Sequence, residues 1–348
     1  MKQRDSFFDN AKFILIFLVV FGHFLRTFIN DNELIYTLYK VIYTFHMPAF
    51  ILISGFFAKG FRKKGYIKKT ARKLILPYFL FQIIYSLFYF LLYDDQSQLM
   101  IDPLDPHWSL WFLISLFFWN VMLYAFVRLR VGYSLLSALL IALAVGFFDF
   151  ISGYLSLSRT FVFFPLFLLG FYLKKEHFYR LLTVRIKILA MFLFITVFFL
   201  FYHFPTLEYE WLLGSKSYAE MGVQPIYAML IRGSLYVLSL MMMASFFALV
   251  PKEQYFFTNL GRNSLYVYLL HGFFIRIFRV SEVKDYFNNV ESILLLAAIS
   301  LILTLILSSK TVTSFAQPLI ELKVSDTKKL LGRLKLYLKF YWEKWVSN

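Results

Sequence analysis

The sequence predicts an all-α fold, a polytopic membrane bundle of about ten transmembrane helices with both termini in the cytoplasm. Three observations predict it. Of the 348 residues 60% are hydrophobic, with 45 Phe and 24 Tyr, which is more apolar surface than a soluble domain can hide. Apolar runs recur at close to the ~20 residues that a bilayer core of about 30 Å requires. The charges gather in short clusters between those runs. Backbone groups in lipid must bond internally, so only helices or a closed barrel can cross. The runs are continuous rather than alternating, which favours helices.

The predicted spans cover residues 11–28, 36–57, 74–93, 108–127, 132–148, 160–173, 188–202, 226–250, 264–278 and 293–307. Orientation follows from the excess of Lys and Arg on the cytoplasmic side. The loop after the second span holds Lys59, Arg62, Lys63, Lys64, Lys68, Lys69, Arg72 and Lys73. The next loop holds Asp94, Asp95, Asp102 and Asp105 and no Lys or Arg. Basic residues return at Arg128 and Arg130, and again at Lys174, Lys175, Arg180, Arg185 and Lys187. Every second loop is therefore basic and faces the cytoplasm, as do Lys2 and Arg4. An even number of spans returns the C-terminus to that side.

The net charge of +16 thus reads as a topology signal, with membrane lipids as partners and no nucleic acid. Residues 1–310 form one membrane domain, and 311–348 form a basic tail. The stretch 328–345 is patterned as an amphipathic helix on the inner leaflet. No cysteine is present, which excludes disulfides, thiolate metal sites and a Cys nucleophile. No metal is expected. The first span carries Asp9 and Lys12 at its start and no small-residue cleavage pattern after it, so it reads as a retained helix.

Ionisable groups inside spans are costly and are functional candidates by default. His23, His46 and His271 fall in the first, second and ninth spans. His23 and His46 are each about twelve residues from the cytoplasmic end of their span, roughly 18 Å deep. His271 is about 12 Å deep by the same arithmetic. Lys12 precedes His23 by eleven positions, which places both on one helix face. Asp9 is one turn before Lys12 and can pair with it. Such a polar stripe should line a cavity open to the cytoplasm.

Asp9 and Lys12, followed by ten residues and His23, resemble the opening motif of the acyltransferase family 3 membrane proteins. In that family an Arg usually stands where this chain has Lys12, so a point charge replaces a planar fork. FHMPAFILISGFF over 45–57 is similar to the second-span motif, and RKLILPY over 72–78 to the start of the third span. WSLWFL from Trp108, SRTFVFFPLFLLG over 158–170 and NSLYVYLLHGFF over 263–274 continue the pattern in order. The last two blocks are nearest to the fucose 4-O-acetylase-like branch.

The resemblance implies transfer of an acyl group, usually acetyl, from cytoplasmic acyl-coenzyme A to a carbohydrate hydroxyl. Such a reaction needs a general base, and desolvation favours the neutral imidazole that can serve. His23 is the candidate, with Lys12 holding the donor and Asp9 orienting Lys12. Arg62, Lys68, Lys69, Arg72 and Lys73 would bind the coenzyme phosphates. Ser54 and Gly55 would allow close approach of the coenzyme arm. Arg159, His46 and His271 would face the acceptor, and Trp108 and Trp111 offer rings for a sugar or anchors at the interface. A transporter or flippase for a lipid-linked sugar shares many of these features but needs no basic coenzyme mouth, and would be expected to show an internal repeat.

Overall fold

The computed structural model describes residues 5–93, 102–151, 153–287 and 292–321. The chain folds into α1 (Ser6–Leu25), α2 (Glu33–Phe57), α3 (Tyr66–Leu92), α4 (Trp111–Phe126), α5 (Val131–Ala144) and α6 (Leu157–Tyr172). There follow α7 (Lys175–Arg180), α8 (Val184–His203), α9 (Glu210–Leu213), α10 (Pro225–Leu249), α11 (Ser264–Val280), α12 (Ser292–Ser308) and α13 (Lys310–Glu321). Each predicted span falls on a helix. Among the described residues, six of these helices are long and apolar enough to cross a membrane: α1, α2, α3, α6, α8 and α10. The α12–α13 pair, bent by 63°, makes a seventh if counted as one. α4 and α5 are shorter apolar helices.

Local chemistry sets the helix starts. Asp5 caps α1 by accepting from the Phe7 amide at 3.1 Å. Asn32 caps α2 by accepting from Leu34 and Ile35 at 3.0 and 3.1 Å. Both use a short polar side chain to satisfy amides that lack an intrahelical partner. Gly65 has φ +77 just ahead of α3, a conformation that costs other residues a Cβ clash.

Two boundaries differ most from expectation. α1 starts at Ser6 rather than at residue 11, because the polar residues of its first turns are satisfied by protein. Asn10 Nδ2 donates to the Pro251 and Glu253 carbonyls at 2.9 and 2.7 Å, and its Oδ1 accepts from the Thr258 hydroxyl at 2.6 Å. α3 starts at Tyr66, so Lys68, Lys69, Arg72 and Lys73 stand on its first turns rather than in a loop.

α2 is the hub, packed by α1, α6, α8 and α10. Glycines bring α2 and α6 into backbone contact. A Cβ on Gly55 would lie 1.9 Å from the Phe167 carbonyl oxygen, and one on Gly170 would lie 2.0 Å from that of Leu52. Such small-residue contacts suit helices that gain nothing from burying apolar surface against lipid. Ile188, Phe192 and Ile195 on α8 and Ile226, Tyr227 and Leu230 on α10 face outward, the apolar exterior that a lipid-facing helix requires. α13 packs against α3, α11 and α12. The stretch 328–345 lies outside the described residues, as do Lys2, Arg4, Asp94 and Asp95.

Candidate active site

Three chambers adjoin through the bundle. The first, of about 360 Å³, is lined by Lys12, Ser54, Tyr66, Lys73 and Asn120 together with many apolar side chains. The second, of about 80 Å³, is lined by His23, His46, Trp108, Trp111 and Arg159. They share Val19, Met47 and Tyr268. The third, of about 520 Å³, is lined by Arg276, Arg279 and Lys216, and it shares Arg26, Trp108 and Arg159 with the second. The small middle chamber is thus a constriction between two larger ones.

At the first mouth, the pair that the spacing predicts is formed. Lys12 Nζ lies 2.7 Å from Asp9 Oδ1. Asp9 is only 2% exposed, and its Oδ2 also lies 3.3 Å from Arg262 Nε. Gly261 makes this possible, since a Cβ there would fall 1.9 Å from the Asp9 carbonyl oxygen. Among the described residues two cations meet this buried carboxylate and hold the start of α1 against the turn before α11. Across the mouth, Tyr66 donates to Asn120 Oδ1 at 2.7 Å, beside Lys73.

The other basic residues distribute differently from expectation. Arg62, Lys68, Lys69 and Arg72 are exposed and do not line this chamber, whereas Lys73 does. Helical geometry explains the selection, because successive positions of α3 point to different sides. Ser54 lines the chamber and returns its hydroxyl to the Phe50 carbonyl at 2.9 Å. Gly55 is absent from the lining; its close approach is to α6 and not to a ligand.

The imidazoles of His23 and His46 line the middle chamber, whereas His271 is fully buried behind His23 and does not line it, contrary to the expectation that it faces an acceptor. The ring of His23 lies 5.3 Å from that of His271 and 4.2 Å from Trp108. His46 lines the same chamber from α2, with Tyr43 at 4.4 Å. His46 Nδ1 is 2.9 Å from the Ile42 carbonyl, and His271 Nδ1 is 2.9 Å from that of Val267. A carbonyl only accepts, so in both rings Nδ1 donates and Nε2 keeps the lone pair. His23 has no such tie: its Nδ1 is buried without a hydrogen-bond partner among the described residues.

The depth expected for His23 is corrected. α1 begins earlier than predicted, so His23 is in its last turn, seventeen residues and about 25 Å from Ser6. His46 remains near the middle of α2. The expected equality of depth therefore fails, yet both line one chamber.

α11 supplies the rest of the wall. Arg279 Nη2 donates to the His23 carbonyl at 2.9 Å and its Nε to the Thr27 hydroxyl at 3.3 Å. Gly272 leaves room for Trp108 and Tyr85, whose atoms would lie 2.9 and 2.3 Å from a Cβ there. Tyr268 donates to the Ser109 carbonyl and so pins the approach to α4. Trp108 has φ +32, a left-handed backbone that is unusual for a bulky residue. Trp108 and Trp111 are thus built into the cavity wall.

Residues 5–309 match a family described as an acyltransferase domain, acyltransferase family 3. The chain belongs to that family. It is also 31% identical over 156 residues to nodulation protein NolL of Mesorhizobium japonicum, an alignment covering 41% of this chain and 42% of that protein. A NolL from Sinorhizobium fredii is 49% identical over 61 residues, 17% of each chain. The chain thus spans less than half the length of the curated relatives it matches. No solved structure matches it.

The family match takes in all three chambers. Among the described residues no group of three His, Cys, Asp or Glu side chains is placed to hold a metal ion. The sequence reading missed Arg26, Arg262, Arg276 and Arg279. The rule that flagged the histidines could have found Arg26 and Arg276, which fall inside the predicted spans 11–28 and 264–278; Arg279 lies one residue beyond.

Proposed function

We propose that this protein is a membrane O-acyltransferase. It moves an acyl group, acetyl in the simplest case, from cytoplasmic acyl-coenzyme A to a hydroxyl of a cell-surface or lipid-linked carbohydrate. The observation that carries this reading is an untied imidazole, His23, at the constriction between two chambers of different character. One has lysines at an otherwise apolar mouth, and the other is rich in arginine.

On this reading the chain crosses a bacterial cytoplasmic membrane ten times, counting the shorter apolar helices, with the basic loops, both termini and the Lys12–Lys73 mouth on the cytoplasmic side. The mouth fits a phosphorylated donor with a long apolar arm: Lys12 and Lys73 supply charge, and the walls are apolar. Lys12 and His23 are eleven residues apart on α1, about 16 Å, a span for the arm to cross. The donor supplies an activated thioester carbonyl. His23 accepts the proton of the acceptor hydroxyl as the new C–O bond forms and the C–S bond breaks, and then returns that proton to the departing thiolate. His46, fixed with Nε2 as an acceptor, orients the sugar hydroxyls, and His271 packs against the His23 ring and holds its orientation. Arg159 and Trp111, with the guanidinium 5.1 Å above the ring, form the acceptor side of the chamber.

Adjoining chambers of this kind would also suit a transporter or flippase, so the test must read chemistry. Purified protein should release coenzyme A thiol from acetyl-coenzyme A, and release should accelerate with a saccharide acceptor. Lys73→Gln should raise the Michaelis constant for acetyl-coenzyme A about tenfold, as expected for one charge-assisted contact of about 1.5 kcal/mol, with less effect at high salt. Arg72→Gln should change it less, because Arg72 does not line the chamber. Absence of thioester cleavage by folded protein would remove the enzyme reading and leave the transporter.

A further inference from the structure

We propose that the arginine-rich chamber binds a phosphate of the acceptor, so that the preferred acceptor is a phosphate-bearing glycan rather than a neutral one. This rests on the acyltransferase reading for the word acceptor, but the binding claim stands on the chamber alone.

Arg26, Arg159, Arg276 and Arg279 line one cavity of about 520 Å³. Among the described residues none of the four has a carboxylate oxygen within 4 Å; the ion pairs formed involve other residues. Their partners are neutral. Arg26 reaches the Tyr209 hydroxyl at 3.3 Å, Arg159 the Leu213 carbonyl at 3.3 Å, and Arg276 the Tyr93 hydroxyl at 3.4 Å. Arg276 Nε is buried with no hydrogen-bond partner. Three carboxylates also line the cavity: Asp105, Glu210 and Glu220. Glu210 is taken by Lys216 at 2.8 Å, and Glu220 accepts from the Ser217 amide at 2.7 Å. With Glu210 paired to Lys216, four guanidiniums face two further carboxylates, Asp105 and Glu220, and none of them is in contact with either.

Five cations against three carboxylates leave the cavity with an excess of two positive charges, and a partly dry cavity of that sign concentrates anions. A neutral sugar would use a mixture of donors and acceptors. Guanidinium forks offer donors only, in the planar geometry that meets phosphate oxygens two at a time. The packing also orients them. Arg276 and Arg279 both lie over Trp108, at 5.2 and 5.5 Å from the ring centre. Trp108 is in turn 4.2 Å from the His23 ring. A phosphate held by Arg276 and Arg279 would thus sit beside Trp108, near enough for its attached sugar to reach the chamber that His23 lines.

The test is a calorimetric titration of purified protein in nanodiscs, with saturating coenzyme A present so that the lysine mouth is already filled. The probes are a sugar 1-phosphate, the same sugar as a prenyl diphosphate, its neutral prenyl glycoside, and its carboxylate-bearing uronic acid. The expected result is at least tenfold tighter binding of a phosphate-bearing probe than of the neutral glycoside and the uronic acid. Arg276→Gln should lose at least tenfold, and Arg276→Lys should recover part of it, with coenzyme A binding reporting that each variant is folded. Preference for the prenyl diphosphate over the free sugar phosphate identifies a lipid-borne phosphate; equal binding of the two identifies a phosphate recognised without lipid. Equal affinity for neutral and phosphorylated probes, or a phosphate preference that survives in folded Arg276→Gln, overturns the proposal. Because the readout is binding, a lack of acyl transfer in a parallel assay would refute the enzyme reading without touching this one.

Discussion

Replacing His23 by Ala is expected to abolish measurable acyl transfer while the protein still inserts and binds coenzyme A. General-base catalysis typically contributes about 10²–10⁴-fold, and a loss in that range is expected in turnover rather than in donor affinity. His23→Gln keeps a polar group of similar reach but no base, so it should be equally inactive. His46→Ala and His271→Ala should lose less, because their Nδ1 atoms are tied to their own helices and their proposed work is orientation. The wild-type rate should fall towards acid pH, since a protonated imidazole cannot accept the hydroxyl proton. Near-normal turnover in His23→Gln would move the base elsewhere, and His46 would be the next residue to test because it lines the same chamber.

The second large effect is expected at Asp9. Removing one partner of a buried charge cluster leaves the others uncompensated, which typically costs 3–5 kcal/mol. Asp9 is 2% exposed and Lys12 15%, but Arg262 is 45% exposed and solvent offsets part of its loss. A destabilisation of about 3 kcal/mol is therefore expected for Asp9→Asn, read as a lowered midpoint of thermal unfolding in detergent. Lys12 would also lose the contact that aims it at the first chamber, so donor affinity should fall by about tenfold or more, one charge-assisted contact. Asp9→Glu should recover part of both. An Asp9→Asn protein with unchanged unfolding midpoint and donor affinity would show that the cluster neither supports α1 nor positions Lys12.

The helices were legible in the sequence because lipid imposes one strong requirement, a continuous apolar run, and all ten predicted ranges fall on helices. The starts of α1 and α3 were not legible. Asp9 and Asn10 look like the polar flank of a span, yet they are buried in helix, because distant chain between Pro251 and Arg262 satisfies them. The contact of Asp9 with Lys12 was readable from their separation of three. The approach of His23 to His271 was not, because it depends on Arg279 holding the end of α1 and on Gly272 admitting Trp108. Gly55 was misread for a related reason. A glycine marks a close approach, but only the fold tells that the approaching group is α6.

On the proposed mechanism a donor and an acceptor enter by opposite mouths and meet at His23. The most direct test is transfer across a sealed membrane. The native chain has no cysteine, so a Lys64→Cys marker labelled by an impermeant reagent assigns which face of a vesicle carries the basic loop. Radiolabelled acetyl-coenzyme A is then supplied on one face and a saccharide acceptor on the other. Acetyl should appear on the acceptor only when the donor is on the face that carries residue 64, and His23→Gln should remove it. Transfer that requires donor and acceptor on the same face, or that proceeds equally from either, would contradict the account.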